Sequence, residues 1–149
     1  MKVKTMDLAT MSRNELDDLF RTSTPGPIPA GRSRGTAMLV PGSAVDNVLR
    51  GLIRALVWKG KVFRPQTEDL KNLLSPAGIP GIRARVYQDK SWFDNAPAII
   101  LDYSKTSIVA RMIRDEIRQV APGVYLGQIF VFKWRIGLFM LEFPSGASA

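Results

Sequence analysis

The clearest strand-like patterning lies between residues 82 and 104, IRARVYQDKSWFDNAPAIILDYS. Ile82, Ala84 and Val86 alternate with Arg83, Arg85 and Tyr87, a period of two that predicts a strand over 82–89. A second strand is predicted over 97–104, so Trp92 and Phe93 fall in the turn between them. Helical spacing appears in three places. Ser12 followed by Glu15 forms a capping box, and Leu16, Leu19 and Phe20 make a short apolar stripe behind it. Ser43 caps a longer stripe of Val45, Val48, Leu49, Leu52, Ile53 and Leu56, which Gly60 ends. Over 106–121, Val109, Met112, Ile113, Ile117 and Val120 share a helical face, with Arg111, Arg114, Asp115 and Arg118 elsewhere. In this reading the run RDEIR is a solvated network of charges on a helix. Three prolines and two glycines make 22–31 a rigid connector, and 75–81 is a second one. Shorter strands are predicted over 35–40, 61–64 and 70–74.

The terminal hairpin, 124–132 and 135–143 around Lys133 and Trp134, is apolar on both sides. Val124, Leu126, Phe130 and Phe132 alternate with Tyr125, Ile129 and Val131. On the return strand Phe139, Leu141 and Phe143 alternate with Ile136, Leu138 and Met140. A half-exposed antiparallel sheet would alternate apolar with polar, so both faces need cover. The expected fold is therefore α+β, mainly antiparallel β: a lipocalin-like small barrel or strongly curled sheet with two to three accessory helices. A single domain over 1–149 is expected. It comprises an N-terminal helix and connector (1–30), a barrel core (31–143) and a flexible tail (144–149).

The segments WKGKVF, IRARVYQDKSWFD, AIILDYSKTS and IRDEIRQVAPGVYLG resemble those of a family of small, uncharacterised bacterial proteins. More distantly, the layout over about 31–143 is similar to GXWXG-type lipocalin-like proteins. The resemblance implies an antiparallel barrel around a small-molecule pocket. GRSRGTAM departs from that pattern by lacking the tryptophan of the GXWXG strand.

Composition narrows the chemistry. The 149 residues are 46% hydrophobic and 23% charged, ordinary for a globular chain. There is no cysteine and no histidine. Disulfides, Cys or His metal sites, thiol nucleophiles and Ser-His-Asp triads are thereby excluded within this chain. No cofactor or metal motif appears, and acid–base work falls to Asp, Glu, Tyr, Lys or Arg-assisted water. No apolar h-region or membrane-length run is present, so a cytoplasmic, bacterial-type protein is expected. The net charge of +8 favours anionic partners. Because the basic residues are dispersed, nucleic acid is disfavoured.

Asp102 is the candidate general acid or base. It lies in an apolar strand, and an inward-facing carboxylate there would have a raised pKa. Tyr103 joins it as a catalytic candidate, with a structural ion pair as the plainer role for Asp102. Arg83, Arg85 and Tyr87 either face solvent or turn inward to hold a ligand carboxylate or phosphate. Trp92 and Phe93 would cap a pocket mouth, touch a membrane interface or form a dimer contact. Tyr125, Phe130 and Phe139 complete the expected pocket lining. Glu142 raises the same question as Asp102, with an edge salt bridge as its plainer role.

These readings favour binding of a small apolar or amphipathic, or anionic, molecule in a barrel pocket. The alternative is an isomerase, cyclase or hydrolase using Asp102 with Tyr or Arg. A third class is a basic interaction module. Peripheral membrane contact and a homodimer complete the partner options.

Overall fold

A computed structural model describes residues 8, 10–39, 61–64, 69–73, 80–103 and 113–143. Among these residues the helix α1 (Arg13–Thr22) precedes nine strands: β1 (Gly31–Arg32), β2 (Arg34–Leu39), β3 (Lys61–Arg64), β4 (Asp69–Leu73), β5 (Pro80–Lys90), β6 (Pro97–Asp102), β7 (Ile113–Ala121), β8 (Val124–Val131) and β9 (Trp134–Glu142). They form one sheet in the order β1-β3-β4-β5-β6-β7-β8-β9-β2, with antiparallel neighbours throughout.

The capping box forms as the sequence predicts. Ser12 Oγ accepts from the Glu15 N–H at 3.1 Å, and Glu15 Oε1 accepts from the Ser12 N–H at 3.0 Å. Leu16 and Phe20 then pack on Val124, Leu126, Leu138 and Met140 of β8 and β9. The opposite face of the sheet carries a larger cluster, including Val86, Ile99, Leu101, Tyr103, Ile117, Tyr125, Phe139 and Leu141. Phe63 on β3 meets Phe143 edge-on in the same cluster, with ring centroids 5.5 Å apart. Strand β8 is therefore buried along its whole length, by α1 on one side and by this cluster on the other.

Four expectations are corrected. The strand order has two ends, β1 and β2, which follow each other across Ser33 and do not pair. The lipocalin-like barrel or strongly curled sheet therefore gives way to a mainly antiparallel sheet without ring closure. Second, α1 is the one named helix among the described residues, not one of two or three. The helix expected from Ser43 and the tail 144–149 lie outside the described residues. Third, the helix expected over 106–121 is a strand over its described part, β7. Its two neighbours, β6 and β8, supply ladder partners on both edges, and tertiary pairing overrides a helical stripe. Nor is there a barrel pocket among the described residues. The space where ligand was expected is filled by Tyr103, Tyr125 and Phe139, each fully buried.

Candidate functional site

Register across the sheet builds a polar row on the face opposite the large cluster. Arg85 stands opposite Asp102, Asp102 opposite Arg114, Arg114 opposite Phe130, and Phe130 opposite Arg135. The Ala84 and Val86 side of β5 is buried in the core, so Arg85 and Tyr87 take the other side. There the Tyr87 hydroxyl donates to Asp102 Oδ2 at 2.8 Å. Desolvation first, then the Asp102 carboxylate accepting this bond, raises the Tyr87 phenol to about 12. Tyr87 is thus a protonated donor at neutral pH. Arg85 is exposed, with its guanidinium 5.6 Å from the centre of the Tyr87 ring.

Arg114 is fixed from three sides. Its guanidinium donates to Lys90 O at 2.8 Å and to Glu116 Oε2 at 3.2 Å, and lies 4.2 Å from the centre of the Trp92 ring. Glu116 is fully buried and also accepts from Ser91 Oγ at 2.5 Å and the Trp92 N–H at 2.7 Å. One carboxylate therefore ties β7 to the β5–β6 turn and draws the Arg114 head group toward that turn. The turn itself closes through Ser91 N–H to Ala96 O and Asn95 N–H to Ser91 O, both 2.9 Å. Asn95 takes a left-handed φ of 63°, which asparagine tolerates better than most residues.

Two further arginines act as anchors. Arg118 is 0% exposed and forks onto Asp94, with both contacts at 2.7 Å. These hydrogen bonds are the main reason that the Asp94 carboxyl sits below its ordinary value. Arg135 holds Asp17 of α1 through both carboxylate oxygens.

Asp102 and Tyr103, the two expected catalytic residues, are not brought together. Tyr103 projects into the large cluster, where its hydroxyl reaches Asp115 Oδ2 at 3.4 Å, while Asp102 is half-buried on the other face. Tyr125 donates to Pro27 O at 2.7 Å, pinning the 22–31 connector, and burial pushes its phenol up to about 12. Phe139 is core, whereas Phe130 is buried edge-on against Trp92, with centroids 5.6 Å apart. Phe93 is half-buried against Phe20, beneath the guanidinium groups of Arg21 and Arg135. Arg83 stands on β5 opposite Lys71. Glu142 is exposed and lines a surface depression of about 290 Å³ with Arg32, Ser33 and Arg34.

Reasoning from sequence singled out Arg114 and Glu116 only as a solvated helical network, and it missed Ser91. The signal was the period-two reading of IRDEIR, in which Arg114, Glu116 and Arg118 share a face. Among the described residues no group of three or more His, Cys, Asp or Glu could hold a metal ion. No described helix is long and apolar enough to cross a membrane.

No family model matches the chain, and no curated protein matches it. The resemblance to lipocalin-like proteins is therefore corrected, by the lack of a family match and by the strand order together. One solved structure, a protein from Thermomonospora curvata, is similar with a TM-score of 0.60 at 23% identity. The match covers 89% of this chain and 87% of that one. At this identity the likeness concerns the fold.

Proposed function

We propose that this protein is an acid–base enzyme acting on a small anionic substrate, with Asp102 as the base. The observation that carries the reading is the Tyr87–Asp102 hydrogen bond of 2.8 Å, set between Arg85 and Arg114 in register. A half-buried carboxylate oriented by a phenol, on a strand position that stands opposite an arginine on each neighbouring strand, has the elements of a proton-transfer site. The arginines attract and orient a carboxylate- or phosphate-bearing molecule. Asp102 removes a proton from carbon next to a carbonyl, and the C–H electron pair moves onto the carbonyl oxygen as an enolate. Arg114, held by Glu116 and Lys90 O, stabilises that charge. In an α-hydroxycarbonyl substrate, return of the proton from Asp102 to the former carbonyl carbon, with the hydroxyl proton passing to the enolate oxygen and the hydroxyl carbon becoming the new carbonyl, completes an isomerisation without any other reactant. Tyr87 keeps the carboxylate oriented, and its raised phenol pKa keeps its proton in place.

The test is exchange of carbon-bound hydrogen in D2O, followed by proton NMR across a panel of small oxo-acids and sugar phosphates. Exchange with at least one compound is expected. Asp102→Asn should reduce it by about a hundredfold or more with the fold unchanged. Tyr87→Phe should give a smaller loss. Absence of exchange across the panel, or an Asp102→Asn protein as active as the wild type, would end the proposal.

A further inference from the structure

The β8–β9 turn carries features that neither the core nor the polar row uses. Val131 and Trp134 pair across a two-residue turn in which Phe132 and Lys133 have φ of 53° and 73°. Both are in the left-handed region, the mirror-type geometry that suits hairpin twist and that Asn-Gly fills most easily. Here a phenylalanine and a lysine hold those strained positions. The side chains do not repay the strain by packing. Phe132 is 66% exposed and Trp134 is 78% exposed, the two most exposed large apolar residues described. Their neighbours are already engaged: Phe130 lies buried against Trp92, and Arg135 is tied to Asp17. Trp92, itself 45% exposed, packs edge-on against Phe130, the residue two before Phe132.

We propose that this turn docks the protein onto an anionic lipid surface, with Phe132 and Trp134 entering the headgroup layer around Lys133. Aromatic rings beside a cation are the side-chain set that settles at a bilayer interface. The net charge of +8 complements an anionic membrane and adds long-range attraction. A two-residue turn with exposed aromatic rings suits insertion into a fluid layer. Three exposed side chains, Phe132, Lys133 and Trp134, fall well short of the roughly 20–30 residues a side that a stable protein interface takes, which argues against a second copy as the occupant. The proposal does not depend on the chemistry at Asp102, and Asp102→Asn should leave docking unchanged.

The experiment is co-sedimentation of the full chain with phosphatidylcholine vesicles, with and without phosphatidylglycerol, over a salt series. Binding should require phosphatidylglycerol and weaken as salt rises. Phe132→Asn with Lys133→Gly and Trp134→Thr keeps the turn chemistry favourable, so the fold survives. That variant should lose at least about tenfold in partition. Lys133→Ser alone should lose about fivefold. Wild-type protein staying in the supernatant with both vesicles would overturn the proposal. So would a triple variant that binds as the wild type does. A dimer in sedimentation velocity that the triple variant abolishes, without vesicle binding, would assign the turn to self-association and overturn it equally.

Discussion

Arg118→Met removes the most fully engaged side chain in the described structure. The guanidinium donates to Phe20 O at 2.7 Å, Pro97 O at 3.0 Å and Ala96 O at 3.1 Å, besides its fork onto Asp94. One head group thus joins the end of α1, the β5–β6 turn and the start of β6, while stacking 4.3 Å from the centre of the Phe20 ring. Methionine preserves apolar volume but leaves the Asp94 carboxylate without its guanidinium partner and takes one donor from each of three carbonyls, of which Ala96 O keeps the Ser91 N–H and Phe20 O the Ser23 N–H. Breaking a buried pair from one side costs about 3–5 kcal/mol. The Asp94 side chain is 16% exposed, so it regains some water and the lower part of that range applies, about 3–4 kcal/mol. For a chain of this length the melting temperature should fall by roughly 6–16 °C. Asp94→Asn keeps the three carbonyl contacts and should cost only about 1–2 kcal/mol. Urea denaturation of both variants, with circular dichroism, measures the difference. The Asp94 carboxyl is lowered from 3.8 in the fold, chiefly by Arg118. Its contribution is therefore complete above the unfolded value and disappears as pH falls through the folded one. Arg118→Met should lose this acid-sensitive part of its stability profile. An Arg118→Met cost below about 1 kcal/mol, the level of a surface ion pair, would refute the reasoning.

Two further outcomes follow from the core. Gly127 lies opposite Phe139 on β9, and a Cβ there would overlap the ring itself. Gly127→Ala should destabilise by about 1–3 kcal/mol through overpacking, read by thermal melting; an unchanged melting temperature would mean that the ring does not lie over the glycine. Tyr87 and Tyr125 both have phenols raised from 10 to about 12 in the fold. Their contribution is present below pH 10 and is lost as pH rises from there through 12, so alkaline unfolding should be shallower in Tyr125→Phe than in the wild type.

Much of the strand layout is legible from period alone. Residues 82–89 and 124–143 alternate over enough positions for the sheet period to stand out, and β5, β8 and β9 form close to where it places them. Apolar residues on both sides of β8 correctly demand cover on both faces. The cover is α1 on one side and a packed cluster on the other, and ring closure was one solution among several. Strand β7 defeats the same reasoning, because Arg114, Asp115, Glu116 and Arg118 read as a wet surface when they are taken as a helix. Burial of charge depends on partners distant in sequence: Ser91 and the Trp92 amide for Glu116, Asp94 and three carbonyls for Arg118. No local window contains those partners.

The candidate site shows a different limit, one that the strand period could have removed. Neighbours in a strand face opposite sides of the sheet, so Asp102 and Tyr103 could not share a site once both lay at the end of one extended segment. Each had to find its partner on an adjacent strand. Asp102 does so diagonally: Arg85 is its direct opposite on β5, but the Tyr87 hydroxyl, two residues along and opposite Ile100, reaches its carboxylate. Tyr103 meets Asp115 of β7 on the other face. The strand pair alone excludes the Asp102–Tyr103 dyad, while choosing Tyr87 over Arg85 requires side-chain reach across the ladder. On that argument Tyr87 is the residue whose substitution should most directly change the behaviour of Asp102. Tyr103→Phe should leave the Asp102 site intact.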